Sequence, residues 1–88
     1  MNKILLITTK GCEGCKIMYN NVIKALADCD KSIAFELKDV EDLSKAFLNK
    51  HNITDFPCTM FYKDDELKYT KVGSSPITII TKWINTLF

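Results

Sequence analysis

Two cysteines three residues apart, Cys12 and Cys15, are the side chains in this sequence best suited to chemistry. They follow a short apolar run at 4–7 and open a long amphipathic segment, which predicts a strand, a tight loop and a helix. Side chains three apart on a helix have Cβ atoms about 5–6 Å from one another. A disulfide needs Cα atoms about 4.4–6.8 Å apart. The spacing therefore allows a disulfide to form and to open without refolding of the chain.

The start of the predicted helix also favours the reactive form of Cys12. Unpaired backbone N–H groups and the helix dipole stabilise a thiolate at that position. Lys10 and Lys16 add positive charge nearby, whereas Glu13 opposes the thiolate by like charge. We predict that Cys12 is the exposed nucleophile and that Cys15, one turn deeper, is the thiol that attacks the mixed disulfide. Half of a metal site is the alternative interpretation of the pair.

The other two cysteines, Cys29 and Cys58, are expected to differ in their surroundings and in their access to the pair. Cys29 lies on the same predicted helix as Cys15 but about 21 Å away at 1.5 Å per residue, too far to complete a zinc site with four protein ligands. We expect Cys29 to be buried as a small apolar side chain. Cys58 has two interpretations: it points into the core beneath the sheet, or it turns toward Cys12 as an accessory thiol. The second arrangement would permit disulfide exchange, or a metal or iron–sulfur site completed by glutathione or a second subunit.

Composition limits the classes of function. The chain has 88 residues, which predicts one domain over 1–88, and 47% of them are hydrophobic, enough for a core without disulfide staples. A net charge of +1 gives no support for a nucleic-acid partner or a polybasic membrane surface. All twelve basic residues are lysine. An anionic substrate would therefore be held by ammonium groups, with Lys10 as the candidate, or by backbone N–H groups rather than by a guanidinium fork.

The beginning of the chain bears on the compartment. Met1-Asn2-Lys3 precedes only a four-residue apolar run, shorter than the roughly 7–15 residues of a signal-peptide core. No segment approaches the roughly 18 apolar residues of a membrane span. We therefore expect a cytoplasmic protein, a monomer without membrane or nucleic-acid partners, in which the cysteine pair cycles instead of staying oxidised.

The hydrophobic pattern predicts the element order β-α-β-α-β-β-α. Strands are predicted at 4–8, 32–38, 58–63 and 67–72, and helices at 13–29, at 41–51 and from Pro76 with Ser75 as its cap. Strand–helix–strand units favour parallel pairing, and the short turn at 63–66 favours an antiparallel hairpin. The predicted fold is α/β, a mixed four-stranded sheet flanked by three helices, with the first helix beginning at the sheet edge where such folds place their sites.

Three linked features resemble the thioredoxin and glutaredoxin superfamily. They are the C-x-x-C segment Cys12-Glu13-Gly14-Cys15, the stretch 52–57 that ends in Pro57, and Val72-Gly73 before the last helix. Together, and in this order, they cover nearly the whole chain. The resemblance implies a thioredoxin-like fold and a redox-active disulfide that serves electron transport and cell redox homeostasis.

The resemblance also implies a substrate groove. It implies that Pro57 is cis and packs against the cysteine pair, and that the backbone of Phe56 pairs with an extended substrate. Gly73 and Ser74 are expected to line the far side of this groove. These four residues and Lys10 are the predicted substrate-binding residues.

The chain departs from both branches of the superfamily. Thioredoxins carry Trp-Cys-Gly-Pro-Cys and a buried acid in the first strand, whereas here Gly11 precedes the first cysteine and Leu6 occupies the acid position. Glutaredoxins have Pro-Tyr between the cysteines and a Gly-Gly-x-Asp-like turn, whereas this chain has Glu13-Gly14 and a turn at 73–76 without that acid. The chain thus resembles a small glutaredoxin-like or minimal thioredoxin-like protein.

The function expected from these features is the reduction of protein or low-molecular-weight disulfides by a Cys12/Cys15 dithiol cycle. No cofactor is expected to be bound, and an external thiol donor would regenerate the dithiol, either glutathione or a reductase of the thioredoxin-reductase type. Two alternatives stay open: a metal or iron–sulfur binding protein of the same fold, and a redox-inert domain that binds a partner at the Phe56–Pro57 edge.

Overall fold

The computed structural model describes the whole chain, from Met1 to Phe88, and its elements follow the predicted order. The strands are β1 (Lys3–Thr8), β2 (Ala34–Asp39), β3 (Cys58–Lys63) and β4 (Glu66–Val72), and the helices are α1 (Glu13–Ala27), α2 (Lys45–Lys50) and α3 (Ile77–Leu87). The predicted α/β class, with four strands and three helices, is confirmed. No helix has the length and apolar character needed to cross a membrane.

The four strands form one mixed sheet in the order β2-β1-β3-β4. Strand β1 is parallel to β2 and antiparallel to β3, and β3 forms an antiparallel hairpin with β4. Residues 4–7 of β1 are all buried, because this strand has a neighbour on each side and apolar clusters pack on both of its faces. Strands β2 and β4 are the two edges of the sheet.

The core is divided by the sheet, since successive side chains of a strand point to opposite faces. The cluster on the face covered by α1 and α3 consists of Ile4, Leu6, Met18, Val22, Ala25, Phe61, Ile80 and Ile84. The cluster on the face covered by α2 consists of Leu5, Ile7, Ile53, Cys58 and Met60. Helix α1 thus lies over the first face, which places its first turn at the carboxyl end of β1.

The second predicted helix is the main error in the predicted elements. Instead of one helix over 41–51, the chain forms a short 3₁₀ turn at Val40–Asp42 and then α2. Leu43 between them is extended, with φ −109° and ψ 147°. The hydroxyl of Ser44 accepts a hydrogen bond from the Phe47 N–H at 3.1 Å. A serine that caps in this way starts a helix, so α2 begins after Ser44.

Two further boundaries differ from prediction. Helix α1 ends at Ala27 and not at Cys29. The N-cap of α3 is Pro76, without a side-chain cap bond, and not Ser75. Ser75 is buried, and its carbonyl accepts a hydrogen bond from the Asn21 side-chain amide at 2.8 Å. Ser75 therefore helps to join the start of α3 to α1 instead of capping its own helix.

Candidate active site

Cys12 and Cys15 are joined as a disulfide, with their Cα atoms 5.2 Å apart. This distance lies within the range that a disulfide requires, as the spacing predicts. Cys12 is the residue that precedes α1, and Cys15 lies in the first turn of that helix. Cys12 is partly buried, whereas Cys15 is only 4% exposed. The structure therefore places one sulfur nearer to solvent and the other beneath it.

The backbone at the start of α1 is directed at the sulfur of Cys12. The Cys15 N–H donates a hydrogen bond to Cys12 Sγ at 3.1 Å. Cys12 has the extended backbone of an N-cap residue, with φ −100° and ψ 106°. Gly11 turns the chain from β1 into this position with a φ of +70°, a conformation that favours glycine. The local backbone therefore supplies a donor to a thiolate on Cys12.

The charged side chains around the pair are themselves paired. Lys10 Nζ lies 3.8 Å from Glu41 Oε2, and Lys16 Nζ lies 3.8 Å from Glu13 Oε1. All four side chains are at least 72% exposed, so water screens them and each pair contributes little to stability. Each acid offsets the lysine that was expected to favour the thiolate. The backbone N–H is therefore the contact through which the structure favours a thiolate on Cys12.

The proline segment lies beside the cysteine loop. The Phe56–Pro57 peptide bond is cis, as the resemblance implies. A Cβ added at Gly14 would lie 3.4 Å from Pro57 Cδ, which places the proline ring against the residues between the two cysteines. The Gly73 N–H donates a hydrogen bond to the Pro57 carbonyl at 2.8 Å. The structure thus brings Pro57 and Gly73 together next to the disulfide.

The two remaining residues of the predicted groove differ in burial. Ser74 is exposed. The Phe56 side chain is partly buried and packs against the cluster on the α2 face. A contact of Phe56 with substrate would therefore be made by its backbone, as the resemblance implies. The substrate-binding roles of these residues stay predictions.

A cavity of about 470 Å³ opens on the other side of the disulfide. Its lining residues are Thr8, Thr9, Lys10, Gly11, Cys12, Cys15, Lys16, Tyr19, Asn20 and Leu37. Tyr19 and Leu37 supply its apolar wall and are 39% and 48% exposed. Because β2 lies on one side of β1 and β3 on the other, this cavity is separate from the Pro57 side. Lys10 belongs to the cavity and not to the group around Pro57.

The sequence indicates only a packing role for Tyr19 and an apolar strand position for Leu37, and it does not assign these residues or Asn20 to the site. Tyr19 lies one helical turn after Cys15, and this spacing is the signal that puts it beside the pair. Leu37 carries no comparable signal, because its position follows from the pairing of β2 with β1. Its register partner is Leu6, two residues before the end of β1.

Cys58 points into the core, as the first of its two interpretations expects. It is 1% exposed within the cluster on the α2 face, and burial raises the pKa of its thiol from the ordinary value of 9.0. Cys29 is only partly buried, contrary to the expected full burial, and its Sγ accepts a hydrogen bond from the Lys31 N–H at 3.3 Å. No group of three or more His, Cys, Asp or Glu side chains is arranged to hold a metal ion.

Comparisons with known proteins agree on the fold. No protein-family model and no curated protein sequence matches the chain. Among solved structures, a thioredoxin from Aeropyrum pernix superposes with a TM-score of 0.75 at 22% identity, over 99% of this chain and 75% of its own. Thioredoxin-2, a component of the malaria parasite's protein secretion machinery, gives 0.82 at 16% identity, over 98% of this chain and 82% of its own. A malarial protein superposes with a TM-score of 0.81 at 15% identity, over 98% of this chain and 96% of its own. The chain therefore has the thioredoxin-like fold.

Proposed function

We propose that this protein is a thiol–disulfide oxidoreductase that reduces disulfides of proteins or small molecules through Cys12 and Cys15. One observation carries the proposal: Cys12, the more exposed residue of the two, accepts a hydrogen bond from the Cys15 N–H at its sulfur while Cys15 lies within disulfide reach. The thioredoxin-like fold supports it, since two of the similar structures are thioredoxins.

The reaction needs two successive exchanges. The Cys12 thiolate attacks one sulfur of the substrate disulfide, forms a mixed disulfide with it and releases the other substrate sulfur as a thiolate. Cys15 then loses its proton and attacks Cys12 Sγ, which forms the Cys12–Cys15 disulfide and releases the second substrate thiolate. Both released thiolates take up protons from solvent. Two electrons pass from the protein to the substrate in one cycle.

An external thiol donor completes the cycle in this proposal. Two molecules of glutathione, or the dithiol of a reductase of the thioredoxin-reductase type, become oxidised to a disulfide and return Cys12 and Cys15 to thiols. A donor of this kind is available in a reducing compartment such as the cytoplasm. No bound cofactor is required, because the two thiols carry both electrons.

Substrate binding is proposed on the Pro57 side of the pair. The backbone of Phe56 pairs with an extended substrate segment, and Gly73 and Ser74 line the opposite side of the groove. The hydrogen bond between Gly73 and the Pro57 carbonyl supports this arrangement, because it holds the two walls together. Lys10, on the cavity side, would contact an anionic group of the substrate.

The decisive experiment is equilibration of the purified protein in graded glutathione and dithiothreitol buffers, followed by alkylation and mass analysis. We expect Cys12 and Cys15 to lose reactivity together in one two-electron transition, with a midpoint near or below about −200 mV. Cys58 serves as the internal control, because a buried thiol should not follow this transition. A glutathione adduct on Cys12 would select glutathione as donor. Absence of a Cys12–Cys15 disulfide at every potential would refute the proposed function.

A further inference from the structure

Strand β2 exposes unpaired backbone groups along the edge of the sheet. The Ala34 N–H donates to the Asn2 carbonyl at 2.9 Å, so Ala34 directs its backbone groups toward β1. In a parallel pair these directions alternate along the strand. The N–H and C=O groups of Phe35, Leu37 and Asp39 therefore point away from β1, where no further strand lies. Such an edge can pair with another strand.

Exposed apolar side chains lie beside this edge on the α1 face. Leu37 is 48% exposed, and Tyr19 and Ile23, one turn apart on α1, are each 39% exposed. The ring of Tyr19 lies 6.0 Å from that of Phe35, centroid to centroid, which places this side of α1 over β2. These residues form an apolar strip that continues the unpaired edge. A strand added to β2 would cover part of it.

We propose that the partner of this edge is a second copy of the same chain, with the two β2 strands antiparallel and Leu37 opposite Leu37. In this register Glu36 of one copy, which also pairs with Lys3 of its own chain at 3.7 Å, stands opposite Lys38 of the other, twice per dimer. Opposite charges placed directly across a strand pair are stabilising. Phe35 stands opposite Asp39, and both direct their backbone groups outward, as a hydrogen-bonded pair requires. The two copies thus form one continuous sheet around a twofold axis.

The charges of β2 select this register over its neighbours. A shift of two residues in one direction places Glu36 opposite Glu36, and a shift in the other direction places Lys38 opposite Lys38. Like charges directly across a strand pair are destabilising. A shift of one residue would set outward backbone groups of one strand against inward groups of the other and turn the apolar face over. The pairing centred on Leu37 avoids all of these penalties.

A dimer of this kind differs from the monomer that the sequence leads us to expect, and its formation does not depend on the proposed activity. The edge pairing also brings the second copy against Leu37, which forms the apolar wall of the cavity beside Cys12 together with Tyr19. The second copy would therefore stand next to that cavity and not at the Pro57 side of the disulfide.

Charge reversal provides the first test, with sedimentation velocity of the oxidised protein from about 10 μM to about 1 mM. Glu36→Lys alone and Lys38→Glu alone should each weaken self-association about tenfold or more, because each places like charges across the pair. The double variant Glu36→Lys/Lys38→Glu should restore it. Glu66→Lys and Lys68→Glu on the opposite edge are matched controls, since this pair lies 3.3 Å apart on β4 and should leave association unchanged.

Cross-linking provides the second test and identifies the register. In a background with Ser at positions 12, 15 and 29, the Leu37→Cys thiols of two copies should form a disulfide on mild oxidation. Hydrogen-bonded antiparallel pairs have Cα atoms about 5.5 Å apart, within the range that a disulfide allows. Ile79→Cys is the control, because Ile79 is 40% exposed but lies on α3.

Three results would overturn the inference. One is a monomer at every concentration for the unaltered chain. Another is association that the charge reversals do not weaken, or that the double variant does not restore. The third is equal cross-linking of the Leu37→Cys and Ile79→Cys proteins, which would indicate collision and not a defined strand pair.

Discussion

The N–H of Cys15 donates a hydrogen bond to the Sγ of Cys12 at 3.1 Å. The sulfur proposed to attack a substrate is thus also the atom that caps the helix in which the second thiol lies. One backbone group therefore has two consequences, because it stabilises negative charge on Cys12 and satisfies an unpaired donor at the start of α1. Substitutions at Cys12 that keep a helix-capping group but remove the nucleophilic sulfur can separate these two roles.

The variants Cys12→Ser and Cys12→Ala are expected to differ in stability but to be equally inactive. A serine hydroxyl caps a helix well, whereas alanine at an N-cap costs about 0.5–2 kcal/mol. We expect Cys12→Ala to unfold at lower urea concentration than Cys12→Ser, both compared with the reduced unaltered chain. Both variants should lose disulfide reduction completely, because neither side chain forms the mixed disulfide. Urea unfolding under reducing conditions and a turnover assay measure the two effects.

Cys15→Ser is the companion to this pair of variants. It keeps the attacking sulfur of Cys12 but removes the second exchange, so the mixed disulfide with a protein substrate should accumulate and be detectable by mass. Turnover by Cys12→Ser would show that the mechanism is wrong. Equal stability of Cys12→Ser and Cys12→Ala would show that the Cys12–Cys15 contact does not cap the helix.

The two glycines next to Pro57, Gly14 and Gly73, are expected to change the free energy of unfolding in opposite directions when each is replaced by alanine. Gly73 has a φ of +90°, where a Cβ is strained by about 1–3 kcal/mol, so Gly73→Ala should destabilise the protein. Gly14 lies in α1, and its added Cβ would make an ordinary contact of 3.4 Å with Pro57 Cδ. Gly14→Ala should therefore stabilise by up to about 1 kcal/mol through helix propensity. The free energy of unfolding, followed by the fluorescence of Trp83, the only tryptophan, tests both.

Strong destabilisation by Gly14→Ala would contradict this expectation, because it would mean that Pro57 cannot accommodate the added methyl group. A Gly73→Ala protein as stable as the unaltered chain would show that the turn after β4 accepts another conformation. In that case the Gly73–Pro57 hydrogen bond would not depend on the positive φ.

The element order and the cysteine site could be predicted from sequence because their signals are local. The apolar run of β1, the periodicity of α1 and the spacing of Cys12 and Cys15 each lie within one turn or strand. The start of α2 was mispredicted for a local reason too. Ser44 caps the helix in the middle of a segment whose apolar spacing continues without interruption, and the cap prevails over the periodicity.

The cavity wall and the free edge could not be predicted in the same way. The apolar alternation of β2 is the same whether or not another strand covers it, so the exposure of Leu37 follows only from the position of β2 at the end of the sheet. Tyr19 similarly lies on a helix that is predicted to be amphipathic, but the exposure of its side chain depends on what lies beyond β2. These properties belong to the tertiary arrangement and not to the local pattern.

Phe61→Ala is expected to destabilise the protein severely. Phe61 is fully buried, and its ring lies 5.7 Å from that of Trp83, 5.9 Å from that of Tyr69 and 6.4 Å from that of Phe88. Truncation of such a side chain costs about 3–5 kcal/mol, a large part of the stability of a small domain. Urea unfolding should show a much lower midpoint, whereas Phe56→Ala, at a partly buried ring, should lose less. Equal losses would show that the aromatic cluster does not hold α3 on the sheet.

Cys58 is expected to make the protein less stable at alkaline pH. Burial raises the pKa of its thiol above 9.0 in the folded chain, so the unfolded chain gives up this proton at lower pH than the folded chain. The stabilisation is complete below the ordinary pKa of the unfolded thiol and is lost as pH rises through the raised pKa of the folded chain. This thiol should therefore lower the free energy of unfolding by at most about 1.4 kcal/mol per pH unit in that window. The partly buried Tyr62, whose pKa is raised by burial and then by the negative charges of Cys58 and Glu36, acts in the same direction at higher pH.

Cys58→Ala should flatten this alkaline decline, even though it lowers stability at neutral pH by leaving a small cavity. The measurement is urea unfolding of the oxidised protein from about pH 7 to pH 10.5, since Cys12 and Cys15 do not titrate while they are joined. Cys29→Ala is the matched control, because Cys29 is only partly buried and its removal should leave the slope unchanged. If Cys58→Ala and the unaltered chain lose stability in parallel, the thiol of Cys58 is not the group whose burial opposes ionisation.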